Sequence, residues 1–311
     1  MKLLLNKVID LLHKLQANKV MDSCRLLNGR GGCFDGLEFV NVDFFQPVLL
    51  VVLYKEPPVN WLNEFIGFMQ DKLLAQLSCV LIQRRYLSNA PSEIVLGVLP
   101  EKNFARRGQL LFNLHLNAQQ NSGFFLDMEA GRQWIENNVA RKRVLNLFAY
   151  TCAFSVVAVA AGAEKVVNVD MSSPALNLGR ANHQLNNMPK SKAEFVAENI
   201  LKSWSRVKKP GPYDVVIIDP PSYQKGSFIA EKDYAKVIRR LPELMPQGGL
   251  ILACLNAPEL SDGFLKGQFT EHLPQAEFVR RLAQHPDFPD VNPEQQLKLL
   301  VYRVPKINTY P

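Results

Sequence analysis

Residues 141–170 read RKRVLNLFAYTCAFSVVAVAAGAEKVVNVD, in which two short apolar runs flank a helical stretch. The runs at Val144–Phe148 and Lys165–Val169 predict strands, and the residues between them predict a helix. The same alternation continues along the chain, with further predicted strands at Ala193–Ala197, Val215–Ile218 and Leu250–Cys254. Strands that alternate with helices form parallel β-α-β units with right-handed crossovers. The sequence therefore predicts an α/β fold built on a doubly wound, mostly parallel sheet.

The first third of the chain has a different pattern. Apolar residues recur at helical spacing between Leu3 and Val20, which predicts an amphipathic helix packed on the rest of the chain. Short strand-like runs then alternate with turns, and a helix is predicted after Pro58. The Gln- and Asn-rich segment Arg106–Asn121 is the predicted connection to the α/β half. We therefore expect an N-terminal helix (1–23), a small α+β domain (24–112) and a larger α/β domain (113–311).

Composition narrows the class of protein. The 311 residues include 36 Lys and Arg against 29 Asp and Glu, and the formal charge of +7 favours a polyanionic partner. Five cysteines without Cys-x-x-Cys spacing, no signal-peptide core and no membrane-length apolar run predict a protein of the reducing cytoplasm. The basic residues form small clusters, and a solvated surface explains any one cluster as well as phosphate contact does. These clusters are Arg84–Arg85, Arg106–Arg107, Arg141–Arg143, Lys202–Lys209, Arg239–Arg240 and Arg280–Arg281.

Ligands of a doubly wound sheet bind beyond the carboxyl ends of its strands. The first predicted strand runs into Phe148, Tyr150 and Thr151, a turn without the glycine that usually allows a nucleotide to approach the backbone. The Gly-x-Gly-x-x-Gly fingerprint of dinucleotide sites is also missing after this strand, which disfavours a nicotinamide-dependent oxidoreductase.

Acidic residues end the next two predicted strands. Asp170, followed by Met171, is placed to accept both ribose hydroxyl hydrogen bonds of an adenosine. The alternative is a helix cap formed by Asp170 or Ser172. Glu198 and Asn199 follow the third strand, where we expect them to meet an adenine edge.

The most specific signal is Asp219-Pro220-Pro221-Ser222-Tyr223, directly after the fourth predicted strand. Two prolines stop a strand abruptly and stiffen the loop that follows. This would hold Asp219 at the mouth of the crevice with Tyr223 beside it. A carboxylate and an aromatic ring suit a flipped base, since one accepts hydrogen bonds from the base edge and the other stacks on its face. A simple turn is the alternative.

The order of these motifs resembles the bacterial large-subunit ribosomal RNA methyltransferases that modify cytosine carbon 5 or guanine nitrogen 7. The resemblance covers Ser122 to about Asn256, and Cys24–Gly29 and Asp35–Leu37 resemble the small α+β domain of those enzymes. The motifs are Ser122-Gly123-Phe124-Phe125-Leu126-Asp127, Leu145-Asn146-Leu147-Phe148-Ala149-Tyr150-Thr151, Asp170, and Asp219-Pro220-Pro221-Ser222-Tyr223.

The resemblance implies a seven-stranded class I methyltransferase sheet, S-adenosylmethionine as cofactor and RNA, above all 23S ribosomal RNA, as partner. The small domain would bind RNA or substrate, and the PUA module of some members is expected to be absent, because too little chain precedes Cys24. Catalytic roles fall on Asp219, Pro220 and Tyr223. The implied cofactor-binding residues are Phe125, Asp127, Asn146, Phe148, Tyr150, Thr151, Asp170, Met171, Glu198, Asn199 and Asp219.

Two departures from the family pattern bear on the chemistry. Cys152 and Ala153 stand where the family usually has Gly-Gly or Gly-Ser, so a Cβ is expected to point toward the methionine end of the cofactor. Asn256 stands where cytosine-modifying members have a nucleophilic cysteine, and Cys254 is set further back on the strand. Without a thiolate in reach, direct in-line transfer to a nitrogen is favoured over covalent attack on a pyrimidine.

The glycine-free turn leaves a second class of function open. A catalytically inactive RNA-binding or ribosome-assembly protein could keep this fold and lose the cofactor. The five histidines lack metal-ligand spacing, so no metal is expected. The sequence leaves monomer and homodimer as equal alternatives.

Overall fold

The computed structural model describes residues 1–18, 20–70, 77–117, 121–221 and 228–306, together with the backbone of 223–224. These residues form two compact units. The first unit contains Met1–Leu126 and His285–Asn292, and the second contains Asp127–Gln284 and the residues from Pro293 onward. No helix of the described residues is long and apolar enough to cross a membrane.

The first unit is an α+β fold on a five-stranded sheet with the order β1-β2-β3-β4-β5. Strands β3 and β4 are parallel, and the other neighbours are antiparallel. A separate hairpin, β6-β7, completes the unit. The elements are α1 (Lys2–Ala17), β1 (Cys24–Asn28), β2 (Val40–Phe45), β3 (Val48–Leu53), α2 (Trp61–Gln70), β4 (Cys79–Arg84), β5 (Ser92–Gly97), β6 (Asn103–Arg107) and β7 (Leu110–Leu114).

Helix α1 confirms the predicted amphipathic helix. Its apolar stripe is buried in the same core as β2, β3 and β4, so the helix is part of the first unit. The stripe consists of Leu4, Val8, Leu11, Leu12 and Leu15.

The predicted connection Arg106–Asn121 is wrong over its first half. Residues 103–114 form the β6-β7 hairpin, whose turn contains Gly108 at φ 56°. The available signal was Gly108 between two short segments that contain apolar residues but do not alternate regularly. The predicted domain boundary after residue 112 therefore falls inside β7, whereas the unit boundary follows Leu126.

The second unit confirms the predicted α/β class. Its parallel strands β8, β9, β10, β11 and β14 alternate with helices along the chain, and a short hairpin (β12-β13) follows β11. The elements are α3 (Glu129–Asn138), β8 (Arg143–Leu147), α4 (Ala153–Ala160), β9 (Lys165–Asp170), α5 (Ser173–Leu185), β10 (Ala193–Ala197), α6 (Trp204–Lys208), β11 (Val215–Ile218), β12 (Tyr223–Gln224), β13 (Phe228–Ile229), α7 (Ala230–Ile238), α8 (Leu241–Leu244), β14 (Gly249–Leu255), α9 (Asp262–His272), β15 (Glu277–Arg281) and β16 (Lys298–Val304).

The seven-stranded sheet has the order β10-β9-β8-β11-β14-β16-β15. The first five strands are parallel, and β16 runs antiparallel to both β14 and β15. Strand order reverses between β8 and β11, and this is the switch point at which doubly wound sheets bind ligands. Strand β11 is buried along its whole length because helices cover both faces of the parallel part of the sheet.

Candidate active site

Four parallel strands end side by side at the switch point. Leu147, the last residue of β8, lies opposite both Val169 and Ile218 in the neighbouring strands. Asp170 ends β9 and pairs with Ala197 of β10, whose next residue is Glu198. The strand ends therefore bring the turn after β8 to the same edge as three acidic residues. We call residues 148–152, Asp170, Glu198 and Asp219 the strand-tip site.

The turn from β8 to α4 takes a left-handed backbone conformation without glycine. Phe148, Tyr150 and Cys152 have φ values of 58°, 46° and 60°. A residue with a Cβ is strained by about 1–2 kcal/mol in this conformation, and such strain clusters at functional sites. Three backbone N–H groups of the turn are bonded within the second unit: Ala149 donates to the Val169 carbonyl, Tyr150 to Asp170 Oδ2 and Cys152 to the Ala149 carbonyl. These hydrogen bonds hold the turn in its left-handed conformation without glycine.

The carboxylate of Asp170 supports this turn. Its Oδ2 accepts the backbone N–H of Tyr150 at 2.8 Å, and its Oδ1 accepts the backbone N–H of Ser172 at 2.8 Å. Ser172 is the N-cap of α5, since its side chain accepts the N–H of Ala175 at 3.3 Å. Asp170 is therefore not the cap, and its half-buried oxygens lie at the strand-tip site.

The side chain of Cys152 does not point where the sequence suggested. It is fully buried with Ala149 and Leu176, and Phe195 packs against this cluster. Burial raises the pKa of its thiol well above the usual value, and the nearby Asp170 raises it further. The expectation that a Cβ at this position points toward a cofactor is wrong, because the left-handed φ of Cys152 directs the side chain into the core beside Gly179.

Asn146 lies behind the strand-tip site. Its side chain is buried and donates to Asn168 Oδ1 at 2.9 Å. The Asn168 side chain in turn donates to Ser155 Oγ at 2.9 Å. Ser155 Oγ also lies 3.0 Å from His183 Nε2, which completes a buried network. Burial lowers the pKa of His183 to about 4, so this network is neutral at physiological pH. The structure thus gives Asn146 a supporting position and not a place on the surface of the site. Thr151 is buried as well.

Glu198 and Asn199 have partners within the second unit. Glu198 accepts a hydrogen bond from Ser203 Oγ at 3.0 Å and forms an ion pair with Arg206. These two contacts, with the Ser203 hydrogen bond as the larger cause, lower the pKa of Glu198. The Asn199 side chain accepts the N–H of Leu201 at 3.0 Å and so caps a short 3-10 helix. Both residues directly follow β10, the third predicted strand. Each side chain already has a hydrogen-bond partner within the protein.

Asp219 is the unusual carboxyl of the strand-tip site. It follows the buried strand β11, and Pro220 behind it is buried. Burial and, to a smaller extent, the negative charge of Asp127 together raise the pKa of Asp219 to about 7, although Arg132 acts in the opposite direction. Within the residues that the structure describes, no hydrogen bond to the Asp219 carboxylate occurs. A carboxyl with a raised pKa and no hydrogen-bond partner among the described residues is typical of a functional site.

Three predicted residues are not part of the strand-tip site as defined above. Phe125 belongs to the first unit and is 42% exposed. Met171, directly after Asp170, is 47% exposed. The side chain of Tyr223 lies outside the described residues, as does Ser222, while the backbone of Tyr223 pairs with Ile229.

Cys254 is placed where it cannot act as a nucleophile at the surface. It is fully buried in β14, and burial together with Asp219 raises the pKa of its thiol well above the usual value. Tyr234 Oη lies 3.1 Å from the Cys254 carbonyl and 3.4 Å from that of Ile218, so it links the ends of β14 and β11. Asn256 follows β14 and is exposed.

Sequence reasoning missed several supporting residues. Arg132 is almost fully buried in α3, forms an ion pair with Glu129 at 2.9 Å and acts electrostatically on Asp219. Gly179 and Asn182 of α5 face the turn after β8. The one available signal was a glycine inside a helical pattern, which usually has a packing reason. Among the described residues, no group of three or more His, Cys, Asp or Glu side chains could hold a metal ion.

Comparison with known proteins shows which family has a similar sequence. The model of a family described as S-adenosylmethionine-dependent methyltransferase matches residues 24–303. A curated relative from Photobacterium profundum, named ribosomal RNA large subunit methyltransferase I, is 28% identical over 268 residues, which cover 82% of this chain and 68% of the relative. A protein of the same name from Enterobacter is 29% identical over 242 residues, covering 75% of this chain and 60% of the relative. The chain thus spans about two thirds of the length of these relatives.

Solved structures share the fold over nearly the whole chain. A methyltransferase crystallised with S-adenosylhomocysteine (SAH) superposes with a TM-score of 0.83 and 27% identity, covering 97% of this chain and 80% of that chain. An S-adenosylmethionine-dependent methyltransferase from Streptococcus mutans has the same TM-score and coverage at 26% identity.

Proposed function

Because the chain belongs to the S-adenosylmethionine-dependent methyltransferase family, we propose that it transfers a methyl group directly to a base nitrogen of RNA, in particular 23S ribosomal RNA. The observation that carries this proposal is the strand-tip site. It combines a strained left-handed turn at the sheet's switch point with a half-buried carboxyl, Asp219, that has no hydrogen-bond partner among the described residues.

The residues of the strand-tip site fit S-adenosylmethionine in their chemistry. Asp170 has two carboxylate oxygens at the strand end, which suit the two hydroxyl groups of a ribose. Asp127 and Asp219 supply negative charge, which suits a cofactor with a positively charged sulfonium and ammonium group. Phe148, Tyr150 and Thr151 would line the cofactor through the turn, with Met171, Glu198 and Asn199 at its edges. A cofactor contact by Phe125, a residue of the first unit, stays a prediction from the family resemblance. Asn146 would support the strand-tip site through its buried hydrogen bond to Asn168.

When bound, S-adenosylmethionine supplies a methyl group on a sulfonium leaving group, so the protein's task is orientation. Asp219, as a carboxylate, would accept a hydrogen bond from the edge of the target base. Pro220 fixes the backbone at this point, and Tyr223 would stack on the base. Holding the attacking nitrogen and the methyl carbon about 3 Å apart and in line can contribute roughly 7–11 kcal/mol to catalysis.

The state of Cys254 supports direct transfer. Attack on a pyrimidine ring needs an accessible thiolate, whereas this thiol is fully buried and its pKa is raised. Asn256 stands at the exposed position after β14 and has no nucleophilic atom of that kind. A base nitrogen with its own lone pair needs no covalent assistance.

The names of the curated relatives and the basic charge support RNA as the substrate. The basic clusters alone are a weaker argument, because several of their arginines are paired within the protein. Arg84, Arg143, Arg206, Arg240 and Arg281 each form an ion pair with a glutamate. With a ribosomal RNA substrate, the site of action would be the cytoplasm.

The substrate class can be tested by transfer of a labelled methyl group. The chain would be incubated with labelled S-adenosylmethionine and, separately, with unmodified 23S ribosomal RNA, 16S ribosomal RNA, DNA or ribosomal protein. We expect label only in 23S ribosomal RNA. Label in protein or DNA, or none in RNA from a chain that binds the cofactor, would overturn the proposal.

A further inference from the structure

Helix α5 carries a glycine at a position where glycine costs helix stability. Gly179 lies in the middle of the helix, where alanine is the better helix former. A Cβ added to Gly179 would lie 2.4 Å from Cys152 Sγ and 3.0 Å from Cys152 Cβ. The glycine is therefore explained by the side chain that it accommodates.

Cys152 and Gly179 are complementary in size. Cys152 has φ 60° and ψ 32°, a left-handed conformation that normally favours glycine. Its side chain occupies the space that Gly179 leaves open on α5, in a cluster with Ala149 and Leu176. The glycine expected in the turn is missing, and one is present directly opposite in the helix.

A second residue of α5 holds the same turn. Asn182 lies three residues after Gly179 and is fully buried. Its Nδ2 donates to the backbone carbonyl of Thr151 at 3.0 Å. Thr151 lies between the left-handed residues Tyr150 and Cys152, so this hydrogen bond fixes the peptide group in the middle of the strained segment.

We propose that Gly179 and Asn182 are positioning residues that set the affinity for S-adenosylmethionine. Strained backbone persists only where its surroundings hold it. Here α5 provides that support, by a cavity for the Cys152 side chain and a hydrogen bond to Thr151. Without it the turn would relax, and residues 148–152 would leave the positions in which they line the proposed cofactor site. The inference rests on the proposed place of the cofactor at the strand-tip site.

Calorimetric titration of the full chain with S-adenosylmethionine, well below the melting temperature, tests this role. We expect Gly179→Ala and Asn182→Ala each to weaken binding by about tenfold or more, the factor that 1.4 kcal/mol represents. In the double variant C152G/G179A, the glycine and the side chain exchange places. We expect its affinity to return to within about threefold of the wild type.

Asn186→Ala is the matched control. Asn186 is the C-cap residue of the same helix, and its Nδ2 donates to the Asn182 carbonyl at 2.8 Å. We expect this variant to bind S-adenosylmethionine as the wild type does. If Gly179→Ala does not fold, Asn182→Ala and the double variant carry the test.

Three outcomes would overturn the inference or separate it from the proposed function. Wild-type affinity in both single variants, even with a lower melting temperature, would show that α5 has a structural role only. A double variant as weak as Gly179→Ala would contradict the size exchange. No binding by the wild-type chain would overturn this inference and the proposed function together, whereas normal binding without methyl transfer to RNA would overturn the proposed function alone.

Discussion

The backbone N–H of Tyr150 donates to Asp170 Oδ2 over 2.8 Å, which joins the turn after β8 to the end of β9. The second oxygen of Asp170 accepts the N–H of Ser172 at the start of α5. One carboxylate therefore orders two neighbouring strand ends, and it keeps lone pairs for a ligand. With these lone pairs, Asp170 can stabilise the strand-tip site and also accept hydrogen bonds from the ribose of the proposed cofactor.

We predict that Asp170→Asn weakens binding of S-adenosylmethionine. The amide has one acceptor oxygen where the carboxylate has two, so a hydrogen bond to the turn, to α5 or to the ribose is lost. The expected cost of about 1.5–3 kcal/mol corresponds to roughly tenfold to hundredfold weaker binding in calorimetry. Asp214→Asn is the control, because Asp214 also accepts a backbone N–H, that of Arg143, but at the opposite end of the sheet. Equal affinities for both variants would refute the role of Asp170.

Asp219→Asn should abolish methyl transfer and stabilise the protein at neutral pH. The pKa of Asp219 is raised to about 7 in the folded state, against an ordinary value of about 4. Ionisation of Asp219 therefore leaves the free energy of unfolding unchanged below about pH 4. Between about pH 4 and pH 7 it lowers this free energy by an increasing amount, and above about pH 7 the loss stays constant. We expect a gain of at least about 1 kcal/mol near pH 8, or roughly 2–4 °C in melting temperature, and almost none near pH 4.5. A variant less stable than the wild type near pH 8 would contradict this.

The pH dependence of the reaction should report the same group. If Asp219 acts as a carboxylate, kcat/KM for RNA rises with pH and levels off above about pH 7, since this ratio follows the free enzyme. Below that value activity should fall by about tenfold per pH unit. The profile would be measured with labelled cofactor at constant ionic strength. A profile that stays flat from about pH 5.5 to 8 would exclude this role.

Cys254→Ala should retain methyl transfer. The thiol is buried and its pKa is raised, so direct transfer does not use it. We expect kcat within about threefold of the wild type and a lower melting temperature, because a small buried group is removed. Loss of transfer in a folded variant, or a covalent complex between wild-type protein and RNA, would instead indicate attack by a cysteine.

The elements that sequence could predict are those set by local pattern. The buried stripe of α1 and the strand β11 with its two prolines follow from spacing and apolar runs, and both lie as predicted. The parallel direction of strands β8 to β11 follows from the β-α-β alternation, and it predicts that residues after the strands meet at one edge of the sheet.

Two kinds of feature could not be predicted from the sequence. One is the sign of the backbone φ angles in a turn, and the other is contact between residues far apart in the chain. A turn without glycine gives no indication of left-handed φ, so the direction of the Cys152 side chain was predicted wrongly. The pairing of Cys152 with Gly179 joins residues of different elements, and Arg132 acts on Asp219 from a distant helix. The hairpin of Gly108 was missed because its two strands do not alternate regularly.

The most direct test is mass mapping of modified nucleotides in 23S ribosomal RNA treated with S-adenosylmethionine and either the wild-type chain or Asp219→Asn. We predict one nucleotide that gains a methyl group on a base nitrogen with the wild type and remains unmodified with the variant. A methyl group on a pyrimidine carbon, equal modification by both proteins, or no modified nucleotide with a cofactor-binding wild type would contradict the account.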